Sequence, residues 1–318
     1  MTDKSPRILF MGTPDFASVQ LAHLLENGYN IIGVVCRPDS AKNRGMKLTF
    51  PPVKTCALEH GVDESLIYQP TTFKDGAGQY ILDETRPDLI VVVAYGRILP
   101  QYVLDYPRLG CVNLHGSILP RYRGAAPIQR AIMNGDKTTG LSLQYLSLGV
   151  DEGDVISDLE TEILPDETYG DLAARLAELG REFLARGIDS IFAGEASATP
   201  QDHALATHAA MIEKTEARLN FSADARAVYN TFRAVTPNPG ATTIRNGKQL
   251  RINAMKLFSG EVPAGQPGTV FFPTKKTAAV ICGAGAVELL RLSPEGKKET
   301  AVADLINGRQ IAAGDILG

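Results

Sequence analysis

Two polar side chains at the end of an apolar run are where this sequence best places chemistry. Asn113 and His115 flank Leu114 and follow Leu109, Cys111 and Val112, a stretch that reads as a short buried strand. Residues two apart on a strand point the same way. An amide and an imidazole side by side, with the strand broken at Gly116, look like a carboxyl-end site of an α/β sheet. Such a pair can donate hydrogen bonds to an oxyanion and relay a proton. Taken alone, it also fits a satisfied His–Asn contact at a sheet end. A carboxylate is on offer in Gly149-Val-Asp151-Glu-Gly153-Asp154, between runs read as strands over 141–146 and 155–159. Gly149 and Gly153 bracket Asp151 as in a loop whose backbone approaches something closely. The same composition suits a hairpin turn, and Glu152 and Asp154 are neighbouring candidates.

The run after His115 is more specific. Ser117-Ile118-Leu119-Pro120 is too apolar and too short for a surface turn and reads as a loop lining a pocket. Arg121-Tyr122-Arg123 sets two cations around an aromatic, Gly124-Ala125-Ala126 permits close backbone approach, and Pro127 suits the first turn of a helix. This run, Asn113 to Arg130, resembles the signature of the methionyl-tRNA formyltransferases, within the formyltransferases that use 10-formyltetrahydrofolate. The resemblance extends over nearly the whole chain and implies that Asn113, His115 and Asp151 form the formyl-transfer triad. It also implies that the folate lies against Ser117, Ile118, Leu119 and Pro120 and against the strand end around Tyr95, Gly96 and Leu99. No metal is implied.

A long segment between Arg37 and the helix near Val53 carries Lys42, Arg44 and Lys47 without helical or strand periodicity. Loops of this length are uncommon unless functional or disordered. The resemblance makes it a basic loop that wedges the acceptor arm of initiator methionyl-tRNA, with Arg44 at the family's arginine. Lys248, Arg251, Lys256, Lys275, Lys276, Lys297 and Lys298 are then candidates to track the tRNA backbone. The alternative is the same chemistry on another amine, glycinamide ribonucleotide or an amino-sugar nucleotide. Those enzymes need neither the basic loop nor a net-positive C-terminal part.

The elements that must position these residues follow from the pattern of the chain. Apolar strands at 8–11, 31–35, 89–93, 111–114 and 141–146 alternate with helical stretches such as 17–26 and 53–60. That alternation predicts an α/β fold, a Rossmann-like mostly parallel sheet with helices on both faces. Gly12-Thr-Pro-Asp-Phe16 follows the first strand where a dinucleotide fingerprint would stand and does not match it, which weighs against a nicotinamide or flavin cofactor. Thr168-Tyr-Gly-Asp171 resembles a capping box at the head of a long amphipathic helix. Residues 194–210 are rich in Ala, Thr and small polar residues and read as linker. Beyond them come a helix over 223–235 and short strands around 250–257, 268–272, 278–281 and 287–292, a small β domain that the resemblance makes an OB-like barrel. The organisation read from this is a catalytic folate-binding domain over 1–195, a linker over 196–221 and a tRNA-binding domain over 222–318.

Charge is divided unevenly. The net value is −4, but residues 1–207 hold 18 Lys and Arg against 27 Asp and Glu, and residues 208–318 hold 14 against 9. A basic C-terminal part suits a partner with phosphates. No apolar run approaches the ~18 residues of a membrane span. The first strand starts almost at the N-terminus, leaving no room for a targeting peptide. The four cysteines and five histidines show no metal-ligand spacing, and the cysteines read as buried free thiols. The expectation is a cytoplasmic, monomeric enzyme.

Overall fold

Ile8 to Met11 are apolar at every position, so the strand they form, β1 (Ile8–Gly12), must be covered on both faces, and all four side chains are fully buried. The structure, a computed structural model, describes residues 5–42 and 47–318, with side chains for all of these except 41, 42, 47, 48 and 75. From β1 the chain runs through α1 (Asp15–Glu26), β2 (Ile31–Val35), β3 (Ser40–Lys42), β4 (Lys47–Thr49), α2 (Pro52–Glu59) and β5 (Ile67–Tyr68). It continues as α3 (Gln79–Thr85), β6 (Leu89–Val93), α4 (Gln101–Leu104), β7 (Cys111–His115), α5 (Pro127–Asn134), β8 (Thr138–Tyr145), β9 (Val155–Glu162) and α6 (Tyr169–Phe192). Seven strands pair in the order β5-β2-β1-β6-β7-β8-β9. β1 is parallel to β2 and β6, β6 is parallel to β7, and β7 is antiparallel to β8. The expected mostly parallel, helix-flanked sheet is therefore the fold. The chain leaves β1 towards β2 on one side and later returns to build β6 and β7 on the other. The crevice at the carboxyl ends of these strands is the topological switch point of such a sheet.

Local signals explain several boundaries. Pro14 precedes α1, and the capping box at α6 forms, with Thr168 N–H donating to Asp171 Oδ2 at 3.0 Å and Asp171 N–H returning to Thr168 Oγ1 at 3.3 Å. The strands read over 141–146 and 155–159 run longer than expected, from Thr138 to Tyr145 and from Val155 to Glu162. The segment read as aperiodic after Arg37 contains a hairpin, with Ser40, Ala41 and Lys42 pairing Thr49, Leu48 and Lys47. Three pairs of mixed Ser, Ala, Lys, Leu and Thr are too few to show a period of two. Arg44 lies outside the described residues.

The chain divides into two units. The first comprises Met1–Pro127, Thr139–Thr161 and Ala173–Ala209, and so takes in most of the stretch whose composition resembles a linker. The second comprises Ile128–Thr138, Glu162–Leu172 and Ala210–Gly318. It adds α7 (Ala225–Val235), β10 (Thr242–Arg245), β11 (Lys248–Leu257), β12 (Val270–Thr274), β13 (Thr277–Ile281), β14 (Ala286–Pro294), β15 (Thr300–Ala301) and α8 (Val302–Asn307). Strands pair antiparallel in the order β10-β11-β14-β13-β12, with β15 on β14. The C-terminal segment closes this sheet into a barrel, because Ile316 bridges Thr269 beside β12 while Leu317 bridges Arg245 of β10. Closure removes the exposed edges that an open sheet of this size would present. Helix α7, capped by Asp224 on Ala227 N–H at 2.9 Å, turns Val228, Phe232 and Val235 into the barrel core against Leu250, Ile252 and Leu289.

Candidate active site

β7 ends at the carboxyl rim of the sheet and presents Asn113 and His115 from one face, as their spacing requires. The antiparallel register with β8 sets Gln144 opposite Asn113 and Ser142 opposite His115. Directly opposed residues share a face, so four polar side chains converge there. Asp151 enters from the loop between β8 and β9. Its Oδ2 accepts the Gly124 N–H at 2.8 Å and faces His115 Nδ1 at 3.6 Å. Its Oδ1 accepts Gln144 Nε2 at 2.9 Å and, at the longer distance of 3.5 Å, Asn113 Nδ2. The structure thus gathers Asn113, His115 and Asp151 around one carboxylate. The Asp151 side chain is 12% exposed and that of His115 6%. Glu152 and Asp154 take no part in this cluster, and the carboxylate of Glu152 lies 3.6 Å from Arg123 instead.

The second ring nitrogen of His115, Nε2, lies 2.9 Å from the Tyr122 carbonyl oxygen, which can only accept. Nε2 therefore carries a proton, and Nδ1 is the nitrogen left towards Asp151. Tyr122 adopts a left-handed backbone with φ +60°, as does Asp151 at +55°, and both are uncommon for residues with a Cβ. Gly153 admits no alternative, because a Cβ there would stand 1.8 Å from the Tyr145 carbonyl oxygen.

The loop expected to meet the folate is held by Ser142. The Ser142 hydroxyl accepts the Leu119 N–H at 2.9 Å and shares its one hydrogen between the Ser117 carbonyl at 2.8 Å and Asp158 Oδ1. Ser117 is buried, its own hydroxyl donating to the Arg121 carbonyl, while Ile118 and Pro120 are partly exposed and Leu119 is buried. At the end of β6, Tyr95 and Leu99 pack their side chains into the sheet core, the Tyr95 ring edge-on to Phe73. Burial pushes the Tyr95 hydroxyl up to about 12. Tyr95 and Leu99 therefore leave a ligand only their backbone, and Gly96, at φ +76°, already offers its carbonyl to Arg37. Neither Ser117 nor Cys111 is an activated nucleophile. The Cys111 thiol turns to the Val103 and Leu104 carbonyls, and burial raises it to about 12.

Sequence reasoning missed Ser142, Gln144 and Gln201. The first two have a signal, Ser-x-Gln in a strand, that gains meaning only from the register. Of the expected tRNA contacts, Lys42 and Lys47 face each other as a backbone pair of the β3–β4 hairpin. In the second unit Lys256 pairs with Glu288 at 3.2 Å, Arg251 donates to the Pro237 carbonyl and Lys297 to Gln310. Among the described residues no group of three or more His, Cys, Asp and Glu is placed to hold a metal ion, and no helix is long and apolar enough to cross a membrane.

Comparison with known proteins agrees in both halves of the chain. Residues 6–188 match the family described as "Formyl transferase", and residues 211–310 match "Formyl transferase, C-terminal domain". A methionyl-tRNA formyltransferase of Syntrophus aciditrophicus is 42% identical over 98% of each chain. One of Ectopseudomonas mendocina is 43% identical over 99% of each. Among solved structures, the sugar 3N-formyl transferase WlaRD is 17% identical with a TM-score of 0.66, over 92% of this chain and 99% of that one. HypX from Aquifex aeolicus, solved with tetrahydrofolic acid, is 18% identical with a TM-score of 0.65 over 97% of this chain, which spans 48% of the HypX chain. These two likenesses speak for the fold. The full-length identities go further, and the chain belongs to the methionyl-tRNA formyltransferase family.

Proposed function

We infer that this protein transfers the formyl group of 10-formyltetrahydrofolate to the α-amino group of methionine on initiator methionyl-tRNA. The observation that carries the reading is the end-to-end match, at 42% identity, to proteins named for that activity. The donor set of the site fits it. An amide N–H, an imidazole and a carboxylate suit direct attack by an amine on an acyl carbon. The folate, when bound, supplies a formyl group on nitrogen. Asn113 directs Nδ2–H towards charge developing on the formyl oxygen. His115, whose Nε2–H is spent on Tyr122, offers Nδ1, which Asp151 faces, to hold the proton that leaves the amine and is taken up by the folate nitrogen as its bond to the formyl carbon breaks. Asp151 fixes both partners by accepting from Asn113 and standing opposite His115.

In the same reading Ser117, Ile118, Leu119, Pro120, Tyr95, Gly96 and Leu99 border the folate, the buried members through backbone. Lys42, Arg44 and Lys47 meet the tRNA acceptor arm, and residues 222–318 follow its backbone. The excess of Lys and Arg over Asp and Glu in residues 208–318 supports this. The enzyme works in the cytoplasm as a monomer.

The test is incubation of the full chain with 10-formyltetrahydrofolate and, separately, methionyl-tRNA, glycinamide ribonucleotide and an amino-sugar nucleotide. Formylmethionyl-tRNA is the expected product. Formylation of either small acceptor, with methionyl-tRNA left unchanged, would refute the assignment.

A further inference from the structure

Gln201 belongs to the stretch that composition marks as linker, yet it is 9% exposed and bonded to the turn that carries Asp151. Its Nε2 donates to the Asp151 carbonyl at 2.9 Å and to the Gly153 carbonyl at 2.6 Å. An amide has two such hydrogens, and the two shortest contacts take them to this turn, with Gln144 Oε1 a longer third neighbour at 3.4 Å. Which way the amide faces is decided by Arg123, whose Nε and Nη2 both meet Gln201 Oε1, at 3.1 and 2.7 Å. The guanidinium can only donate, so the oxygen must face it and the nitrogen must face the turn. Arg123 is 2% exposed and is held in turn by His203 Nδ1 at 3.2 Å and Glu152 at 3.6 Å. Meanwhile the Asp151 backbone sits at φ +55°, a conformation that persists only where surrounding contacts over-determine it.

We propose that Gln201, oriented by Arg123, is a positioning residue for formyl transfer that clamps the left-handed turn and aims the Asp151 carboxylate at Asn113 and His115. This rests on the role given to Asp151 under Proposed function. It makes part of the chain beyond the sheet a working component of the site. Gln144 holds the carboxylate itself, whereas Gln201 holds the main chain beneath it.

The experiment uses the full chain with two substitutions. Gln201→Met removes both donors without adding charge. Gln201→Glu removes them while keeping an acceptor for Arg123, so the two variants disturb different partners, and the kcat comparison is made on whichever shows the cooperative urea unfolding of the wild type. Each should lower kcat by about ten- to a hundredfold, the scale of a small misplacement of a reacting group, with KM for both substrates within about twofold. In an Asp151→Asn background the same substitutions should cost less than about twofold, because Gln201 acts through Asp151. Unchanged kcat in the Gln201 variants, or the full loss repeated in the Asp151→Asn background, overturns the proposal and leaves the triad standing. Asp151→Asn turning over at the wild-type rate overturns the triad and this proposal together.

Discussion

Replacing Ser142 by Ala removes one oxygen atom and should unsettle a loop more than twenty residues away in sequence. The hydroxyl satisfies the Leu119 N–H and the Ser117 carbonyl, both in the buried turn after β7, and Ser142 itself is fully buried. Alanine leaves those two backbone groups without a partner and without water. Each orphaned group costs about 1–3 kcal/mol, so the pair should cost about 2–6 kcal/mol of folding stability unless the loop shifts to find water. The loss of contact with Asp158 adds little, because β9 is the edge strand and the carboxylate can turn to solvent. Relief by movement carries its own signature, since the segment that shifts, 117–120, is the one proposed to border the folate. Urea unfolding and the Kd of a folate analogue, measured on the same variant, should therefore show a stability loss, a weakened Kd or both. Ser142→Thr keeps the hydroxyl and should retain folate affinity better than Ala. If Ser142→Ala lost less than about 0.5 kcal/mol and bound the analogue normally, the hydroxyl would not be what holds the loop.

Asp158 gives a pH prediction. Partial burial raises its pKa above the ordinary 3.8, and the Ser142 contact opposes this only in part. A carboxyl whose folded pKa is raised contributes stability that is present below its unfolded value and is lost as pH rises through the folded one. Asp158→Asn should thus gain stability relative to wild type as pH rises above about 4, read by urea unfolding, and a difference that does not change with pH would count against a raised carboxyl. Gly153→Ala should reduce kcat severely, because a Cβ 1.8 Å from the Tyr145 carbonyl must displace the turn bearing Asp151; normal turnover would show that the turn tolerates the shift. Arg44→Ala should lower kcat/KM for methionyl-tRNA by about ten- to a hundredfold, the value of one directional contact, while the Kd of a folate analogue stays constant. Equal losses in both would reduce the loop to a structural support.

Asn113, His115 and Asp151 could be grouped from the sequence only through the family resemblance, because their local signals fit a satisfied pair and a hairpin turn equally well. Two polar residues at strand spacing need no tertiary information, and a carboxylate between glycines announces a tight turn. Ser142 and Gln144 were not legible, because their meaning depends on an antiparallel register between β7 and β8, and a slip of one residue would turn both away. Gln201 was hidden by composition. Small and polar residues make loops whether or not they are anchored, and its partners lie about 50 residues earlier in the chain. For Tyr95 and Leu99 the sequence could not separate a pocket wall from a core, since both ask for apolar side chains; packing put them in the core. The α/β half was readable from near-continuous apolar strands. In the second unit the short strands were visible, but closure through Ile316 and Leu317 was not, because two bridging residues leave no period.

If the cluster around Asp151 performs the transfer, His115→Ala must slow it. The measurement is the single-turnover rate constant for formylmethionyl-tRNA formation from saturating 10-formyltetrahydrofolate. A residue that holds the proton leaving the amine should lower that rate by about 10²–10³, with the Kd of a folate analogue unchanged because the ground-state complex does not use it. A rate within a few fold of wild type would contradict the account, whatever the other variants did.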